Sequence, residues 1–274
     1  MTVLLSFLWA ILAVSADENH AWFYPKRHEP KAYALLIHGF NLKPSKMDEI
    51  ASLLNDNQIA VLRLALTGHR GEPHEMQNIS VQSYQTDFNQ AFQELKSKAN
   101  RAPLYLVGYS LGGLLSVHEW AKLSLKEIRG AILFAPAIIT KKSSRFILKI
   151  PFTNLFPSLS KGGWISHRFT SRVGYETLFE LQNNVQSMLA DELKTTNKPT
   201  LVFLKEKDEF IQFDKTNAWI KESQLTEWKV INLPRKENLN LRDSFLDHLM
   251  ITEETAGIDG WKIIKNEIGR FFRN

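Results

Sequence analysis

Six short apolar runs recur along the chain. They are Ala34–Ile37 (ALLI), Ile59–Leu64 (IAVLRL), Leu104–Val107 (LYLV), Ala131–Phe134 (AILF), Leu201–Leu204 (LVFL) and Trp228–Leu233 (WKVINL). Most are almost continuously apolar rather than alternating, the pattern of strands covered on both faces of a parallel sheet. Segments of helical period separate them. Ser45–Leu54 opens with a Ser-x-x-Asp capping signature and brings Met47, Ile50, Leu53 and Leu54 to one face. Gln82–Lys98 does the same with Tyr84, Phe88, Phe92 and Leu95, and Leu111–Leu123 and Ile258–Phe272 repeat the period. Strands alternating with helices predict an α/β fold with a mostly parallel sheet flanked by helices.

The rhythm stops between Ile138 and about Lys198. No strand is predicted there, and Pro151, Pro157 and Gly162-Gly163 interrupt the segment. Its position predicts a cap inserted over the carboxyl edge of the sheet, where open α/β sheets bind ligands. The expected organisation is a leader at 1–16, a core at 17–137 and 199–274, and the cap at 138–198. No internal repeat or low-complexity tract is present.

Composition adds limits. A chain of 274 residues, 44% hydrophobic with 17 Phe and 7 Trp, supports one well-buried core. With 23% charged residues it does not have the composition of a disordered chain. There is no cysteine, so disulfides and thiolate chemistry are excluded. The net charge of +5 favours anionic partners without choosing among them. The N-terminal run MTVLLSFLWAILAVSA is too short to span a bilayer comfortably and ends in small residues before Asp17. That pattern predicts export, periplasmic or secreted, through a cleaved signal, although no Lys or Arg precedes the apolar run; a retained membrane anchor is the alternative.

One glycine-rich stretch carries chemistry. Gly108-Tyr109-Ser110-Leu111-Gly112-Gly113 follows LYLV and opens a helical segment. Gly-x-Ser-x-Gly between strand and helix is a nucleophile elbow: Gly108 and Gly112 remove side chains that would collide, and the serine Oγ stands at the sheet edge. Serine needs a base, an orienting carboxylate and oxyanion donors. On this fold the chain order is Ser, Asp or Glu, then His. Of eight histidines only His167 and His248 follow Ser110, and His248 lies between the last strand and the terminal helix, where the base belongs. Asp208, in the loop after LVFL, leads for the carboxylate, with Glu206, Glu209, Asp214 and Asp247 as rivals. The oxyanion donors expected are the N–H of Leu111 and that of Phe40, in His38-Gly39-Phe40 just after ALLI.

These residues carry a resemblance. With His38-Gly39-Phe40, Gly68-His69-Arg70-Gly71, the elbow, Asp208 in KEKDEF and His248 in DHLMITEE, the chain resembles the serine-hydrolase branch of the α/β-hydrolase superfamily. That branch includes monoacylglycerol lipases, carboxylesterases and lysophospholipases. The likeness covers about residue 32 to the end, the cap in position only. It implies Ser110, Asp208 and His248 as a triad, Phe40 and Leu111 as oxyanion donors, and no cofactor. It also places Gly68–Gly71 against the pocket, a polar loop being the other reading of His69 and Arg70. The usual first strands are reduced, with Ala21–Tyr24 (AWFY) as a remnant. The implied reaction is cleavage of a carboxylic ester with an apolar acyl chain through an acyl-enzyme. Lysophospholipase, thioesterase and amidase chemistry share the same constellation. An inactive hydrolase-fold protein that binds a lipid or a partner is the non-enzymatic alternative.

The cap has its own composition. From Ile138 to Tyr175 there is no Asp or Glu, while Lys141, Lys142, Arg145, Lys149, Lys161, Arg168 and Arg172 give +7 and leave the rest of the chain net negative. Phe146, Phe152, Phe156, Trp164, Phe169 and Tyr175 interleave with them. Such a lid suits an anionic bilayer or an anionic substrate; a solvated basic face is the plain alternative. No nucleic-acid module accompanies the charge, and no His or carboxylate cluster has metal-ligand spacing. The oligomeric state is not legible.

Overall fold

The computed structural model describes residues 18–71, 73–150, 154–158, 163–236 and 247–273. The N-terminal apolar run, Phe152 and Lys161 lie outside the described residues. Among the described residues, seven strands form one sheet: β1 (Ala21–Phe23), β2 (Ala32–Ile37), β3 (Ile59–Leu64), β4 (Leu104–Tyr109), β5 (Ile128–Phe134), β8 (Thr200–Leu204) and β9 (Trp228–Asn232), in the order β1-β3-β2-β4-β5-β8-β9. Every pairing is parallel except that of β1, the AWFY segment, which runs antiparallel along β3. This is the α/β-hydrolase fold expected from the resemblance.

The apolar runs are apolar because helices cover both faces. All six residues of β3 are buried, including Arg63, whose guanidinium is neutralised by Asp48 and lies over the Phe23 ring. Four long helices pack on the sheet: α1 (Asp48–Asp56), α2 (Val81–Ala99), α3 (Leu111–Lys122) and, at the C-terminus, α6 (Ile258–Phe271). Helix α2 buries Tyr84, Phe88, Phe92 and Leu95, and is capped by Ser80, whose Oγ accepts the Ser83 N–H at 3.0 Å. The Ser45 capping signature is not used. Pro44 starts a 3-10 turn that delays α1 to Asp48, and the Glu18 carboxylate takes the Ser45 hydroxyl and N–H instead.

The cap corrects a second expectation, because it does contain strands. Leu155–Pro157 (β6) and Phe169–Ser171 (β7) pair antiparallel, and α4 (Arg172–Ser187) follows, its first turn capped by Ser171. Three-residue strands are too short to show a period in sequence. Helix α5 (Phe213–Glu222) joins β8 to β9.

The strand order positions the site. The chain leaves β2 for β3 on one side and returns to β4 on the other, so the β2/β4 boundary is the switch point where such sheets open a crevice. Ile37 pairs with Gly108 in that ladder. His38-Gly39-Phe40 and Ser110 therefore emerge side by side.

Candidate active site

Ser110 is forced into place by its neighbours. It links β4 to α3 with φ 51° and ψ −111°, a conformation a non-glycine residue holds only when its surroundings impose it. Its N–H donates to the Phe134 carbonyl at 2.9 Å and its carbonyl accepts the Ala137 N–H at 3.0 Å, so backbone bonds alone set the turn. A Cβ on Gly108 would lie 2.6 Å from the Gly112 backbone, and one on Gly112 would strike the Ile37 carbonyl. Both glycines are steric requirements of the elbow. A Cβ on Gly39 would meet the Tyr109 ring at 2.7 Å, which sets the same demand on the β2 turn.

The loops after β8 and β9 bring two more residues to the serine. His248 Nε2 lies 3.0 Å from Ser110 Oγ, and His248 Nδ1 lies 2.8 Å from Asp208 Oδ2. Asp208 Oδ1 accepts the N–H groups of Phe210 (2.7 Å) and Ile211 (2.9 Å). Burial pushes the Asp208 carboxyl up. The positive field and hydrogen bond of His248, with the two backbone bonds, outweigh burial and hold it below its ordinary value. The imidazole sits between the Tyr109 ring at 5.2 Å and the edge of Phe210 at 5.1 Å. The arrangement can move a proton off Ser110 while Asp208 holds the ring and balances its charge.

None of the rival carboxylates meets the His248 imidazole. Glu206 is exposed and accepts from Asn232; Asp214 is exposed in the first turn of α5. Asp247 pairs with Arg235 at 3.1 Å and Lys205 at 3.7 Å. Glu209 has a use that sequence reasoning missed. Its two oxygens accept the N–H groups of Asp247 and His248, each at 3.0 Å, and so hold the loop that carries the imidazole. His167 is not brought to the serine; its Nε2 meets the Gly68 carbonyl at 2.9 Å.

Around the β2 turn two more histidines are buried and neutral. His38 Nε2 accepts the Leu66 N–H and Nδ1 donates to the Gly39 carbonyl, and burial holds the ring down to about 4. His69 Nε2 accepts the Asn41 N–H at 2.8 Å, and burial keeps this ring well below its usual range. Arg70 pairs with Asp87 and Glu75. His69 thus braces the turn from behind while Arg70 ties its own loop to α2, in contrast to the pocket-facing placement implied by the resemblance.

Leu111 is the first residue of α3, so its N–H has no carbonyl one turn back within the helix. Phe40 lies across the crevice, and both Phe40 and Ser110 line a cavity of about 370 Å³. Ile147, Ile165, Tyr175, Leu178 and Phe179 of the cap form its apolar wall, with Ser143, Ser144 and Ser158 adding hydroxyls. Among the described residues, four cap cations are already engaged. Lys149 lies over the Phe146 ring, and Arg172 donates to the Leu148 (2.8 Å) and Ile150 carbonyls. Lys141 donates to the Asp208 carbonyl, and Arg145 reaches Gln182 (2.7 Å) and Asn183 (2.8 Å) and lies over the Phe179 ring.

Residues 28–226 match the serine aminopeptidase S33 family. The chain belongs to that family of α/β-hydrolases. It is distantly homologous to monoglyceride lipases, 26% identical to the rat enzyme over 156 residues, or 54% of this chain and 51% of the rat protein. The aligned part thus spans about half the length of that relative. Two solved structures share the fold over almost the whole chain. One is from a study of the metagenome-derived lipolytic enzymes LipS and LipT (TM-score 0.74, 16% identity, 94% of this chain and 98% of that one). The other is a soluble variant of Saccharomyces cerevisiae monoglyceride lipase in complex with a substrate analogue (TM-score 0.69, 13% identity, 92% and 90%).

Proposed function

We propose that this S33-family protein is a serine esterase acting on carboxylic esters with an apolar acyl chain. The observation that carries this is the Ser110–His248–Asp208 relay on the floor of an apolar cavity. Ser110 Oγ attacks the acyl carbon as His248 Nε2 takes its proton. The Phe40 and Leu111 N–H groups hold the oxyanion, and His248 returns the proton to the departing alcohol. Water, activated by the same imidazole, then releases the acid from the acyl-enzyme. Distant homology to monoglyceride lipases supports an ester substrate. An aminopeptidase needs a group to hold an α-ammonium. The cap from Ile138 to Tyr175 has seven cations and no carboxylate, a composition that disfavours an α-ammonium there. Thioester or amide cleavage would use the same groups.

A series of p-nitrophenyl esters tests this. kcat/KM is expected to rise from acetyl toward longer chains, because each buried methylene contributes about 0.8 kcal/mol until the cavity is full. A flat profile, or faster turnover of aminoacyl anilides, rejects the acyl-chain assignment.

The cap surface further suggests contact with an anionic bilayer. Phe146, Leu155 and Phe169 are 59%, 55% and 51% exposed, Ile150 and Val173 are also exposed, and Lys142, Lys149 and Arg168 are exposed on the same cap. Export through residues 1–16, or anchoring by them, would put the protein near lipid. Lys141 and Arg145 are unsuited to the test because of the bonds described above. The triple variant Lys142→Gln/Lys149→Gln/Arg168→Gln is expected to weaken binding to phosphatidylglycerol vesicles by about two powers of ten, at about 1 kcal/mol per cation. The loss should shrink as salt shortens the Debye length from about 10 Å at 0.1 M to about 3 Å at 1 M. Equal co-sedimentation of variant and wild type rejects the contact. A fall in turnover of a short soluble ester would instead place these cations at the substrate's path.

A further inference from the structure

We propose that Asn41 is a positioning residue that clamps the cap onto the oxyanion turn and so sets where the Phe40 N–H points. It rests on the serine-esterase reading above, which assigns that N–H to the oxyanion. Asn41 immediately follows Phe40, is 5% exposed, and adopts the left-handed conformation with φ 51°.

Every polar group of Asn41 is engaged. Its N–H donates to His69 Nε2 (2.8 Å) and its carbonyl accepts the Ser166 N–H (3.1 Å). Side-chain Oδ1 accepts the His167 N–H (2.9 Å), while Nδ2 donates to the His167 carbonyl (2.9 Å) and to Thr170 Oγ1 (3.1 Å). The amide thus pairs with both main-chain groups of one cap residue, as a neighbouring strand would. The pairing continues along the turn: Leu42 bridges Ile165, and the Lys43 N–H donates to the Trp164 carbonyl at 2.9 Å. Cap residues from Trp164 to Thr170 therefore dock on the chain directly after the proposed oxyanion donor.

The Phe40 ring is boxed from the cap side as well. A Cβ on Gly174 of α4 would lie 2.6 Å from Phe40 Cζ, and the Tyr175 ring stands 5.1 Å away, edge-on. An oxyanion donor is effective only when held about 3 Å from the place the developing charge will occupy. The turn after β2 is held from behind by His69 and closed by the Leu42 N–H to the Gly39 carbonyl (3.2 Å); the Asn41 amide clamp holds it from the cap side. Both halves of the cap meet the machinery, since Lys141 and Thr140 are tied to the Asp208 loop on the opposite side. Asn41 borders the cavity, but with its amide spent on His167 and Thr170 it acts through Phe40.

Asn41→Gly isolates the clamp, because glycine keeps the left-handed backbone and deletes only the amide. On a short soluble ester, kcat is expected to fall about 10- to 100-fold with KM within about threefold, the pattern of an interaction used mainly in the transition state. Affinity for a trifluoromethyl ketone inhibitor, whose tetrahedral adduct needs the same donors, should fall in parallel with kcat/KM. Asn41→Ala, which is uncharged and also lacks the amide, should show the same signature, and it decides the question if the glycine variant does not fold. A lowered melting temperature with unchanged kcat and inhibitor affinity would make Asn41 purely structural and overturn the inference. Wild type that labels with a fluorophosphonate alongside an equally fast Asn41→Gly overturns the inference alone. Wild type that neither labels nor cleaves esters overturns the esterase reading and the inference together.

Discussion

Ser110→Ala is expected to lower kcat by about four to six powers of ten and to abolish fluorophosphonate labelling, with the fold retained. The Oγ is the group that His248 Nε2 faces at 3.0 Å, and alanine offers nothing in its place. The residual rate would come from binding and from the oxyanion donors, which do not depend on the hydroxyl. Retention of the fold follows from the way the elbow is held. The N–H and carbonyl of residue 110 bond to Phe134, Ala137 and Leu114, and alanine keeps all of these. The backbone strain at φ 51° is carried by serine and alanine alike. Purified Ser110→Ala with a native circular dichroism spectrum and undiminished turnover would remove Ser110 as nucleophile.

Asp208→Asn is expected to cost about four powers of ten near neutral pH through the imidazole tautomer. Oδ1 accepts from Phe210 and Ile211, so the asparagine oxygen stays on that side and its NH2 replaces the oxygen that faces His248. An N–H at that point demands a lone pair on Nδ1. The ring proton then moves to Nε2, which can no longer accept from Ser110. Overall stability should change less than activity, since both backbone bonds to the loop survive. Glu206→Gln and Asp214→Asn, both at exposed positions, should stay near wild type. Steady-state kinetics of the three variants decide it: a nearly active Asp208→Asn beside a dead Glu206→Gln or Asp214→Asn reassigns the carboxylate.

Much of the fold was legible because burial on both faces writes itself directly into composition. A continuous run such as IAVLRL has few alternatives to a covered strand, and its boundaries agree with β3 at both ends. Even its one charge, Arg63, is compatible once Asp48 neutralises it. Cap strands β6 and β7 were not legible, because three residues hold less than two alternations. The unused Ser45 signature shows the limit of local motifs: Pro44 delayed the helix to Asp48, and a carboxylate 27 positions away, Glu18, took the Ser45 hydroxyl.

The site divides in the same way. By itself, the sequence determined the nucleophile elbow, since Gly108 and Gly112 relieve clashes between backbone segments at fixed short spacing. It also narrowed the base to His248 by chain order. Which carboxylate meets that base, what Glu209 holds, that Lys141 is tied to the Asp208 carbonyl instead of facing lipid, and that Asn41 grips His167 were decided only in the tertiary structure. Asn41 and His167 stand 126 positions apart. A pattern of apolar and polar residues records which side chains leave water, and it does not record which polar group each buried donor will find; that choice is made by the packing of loops from different strands.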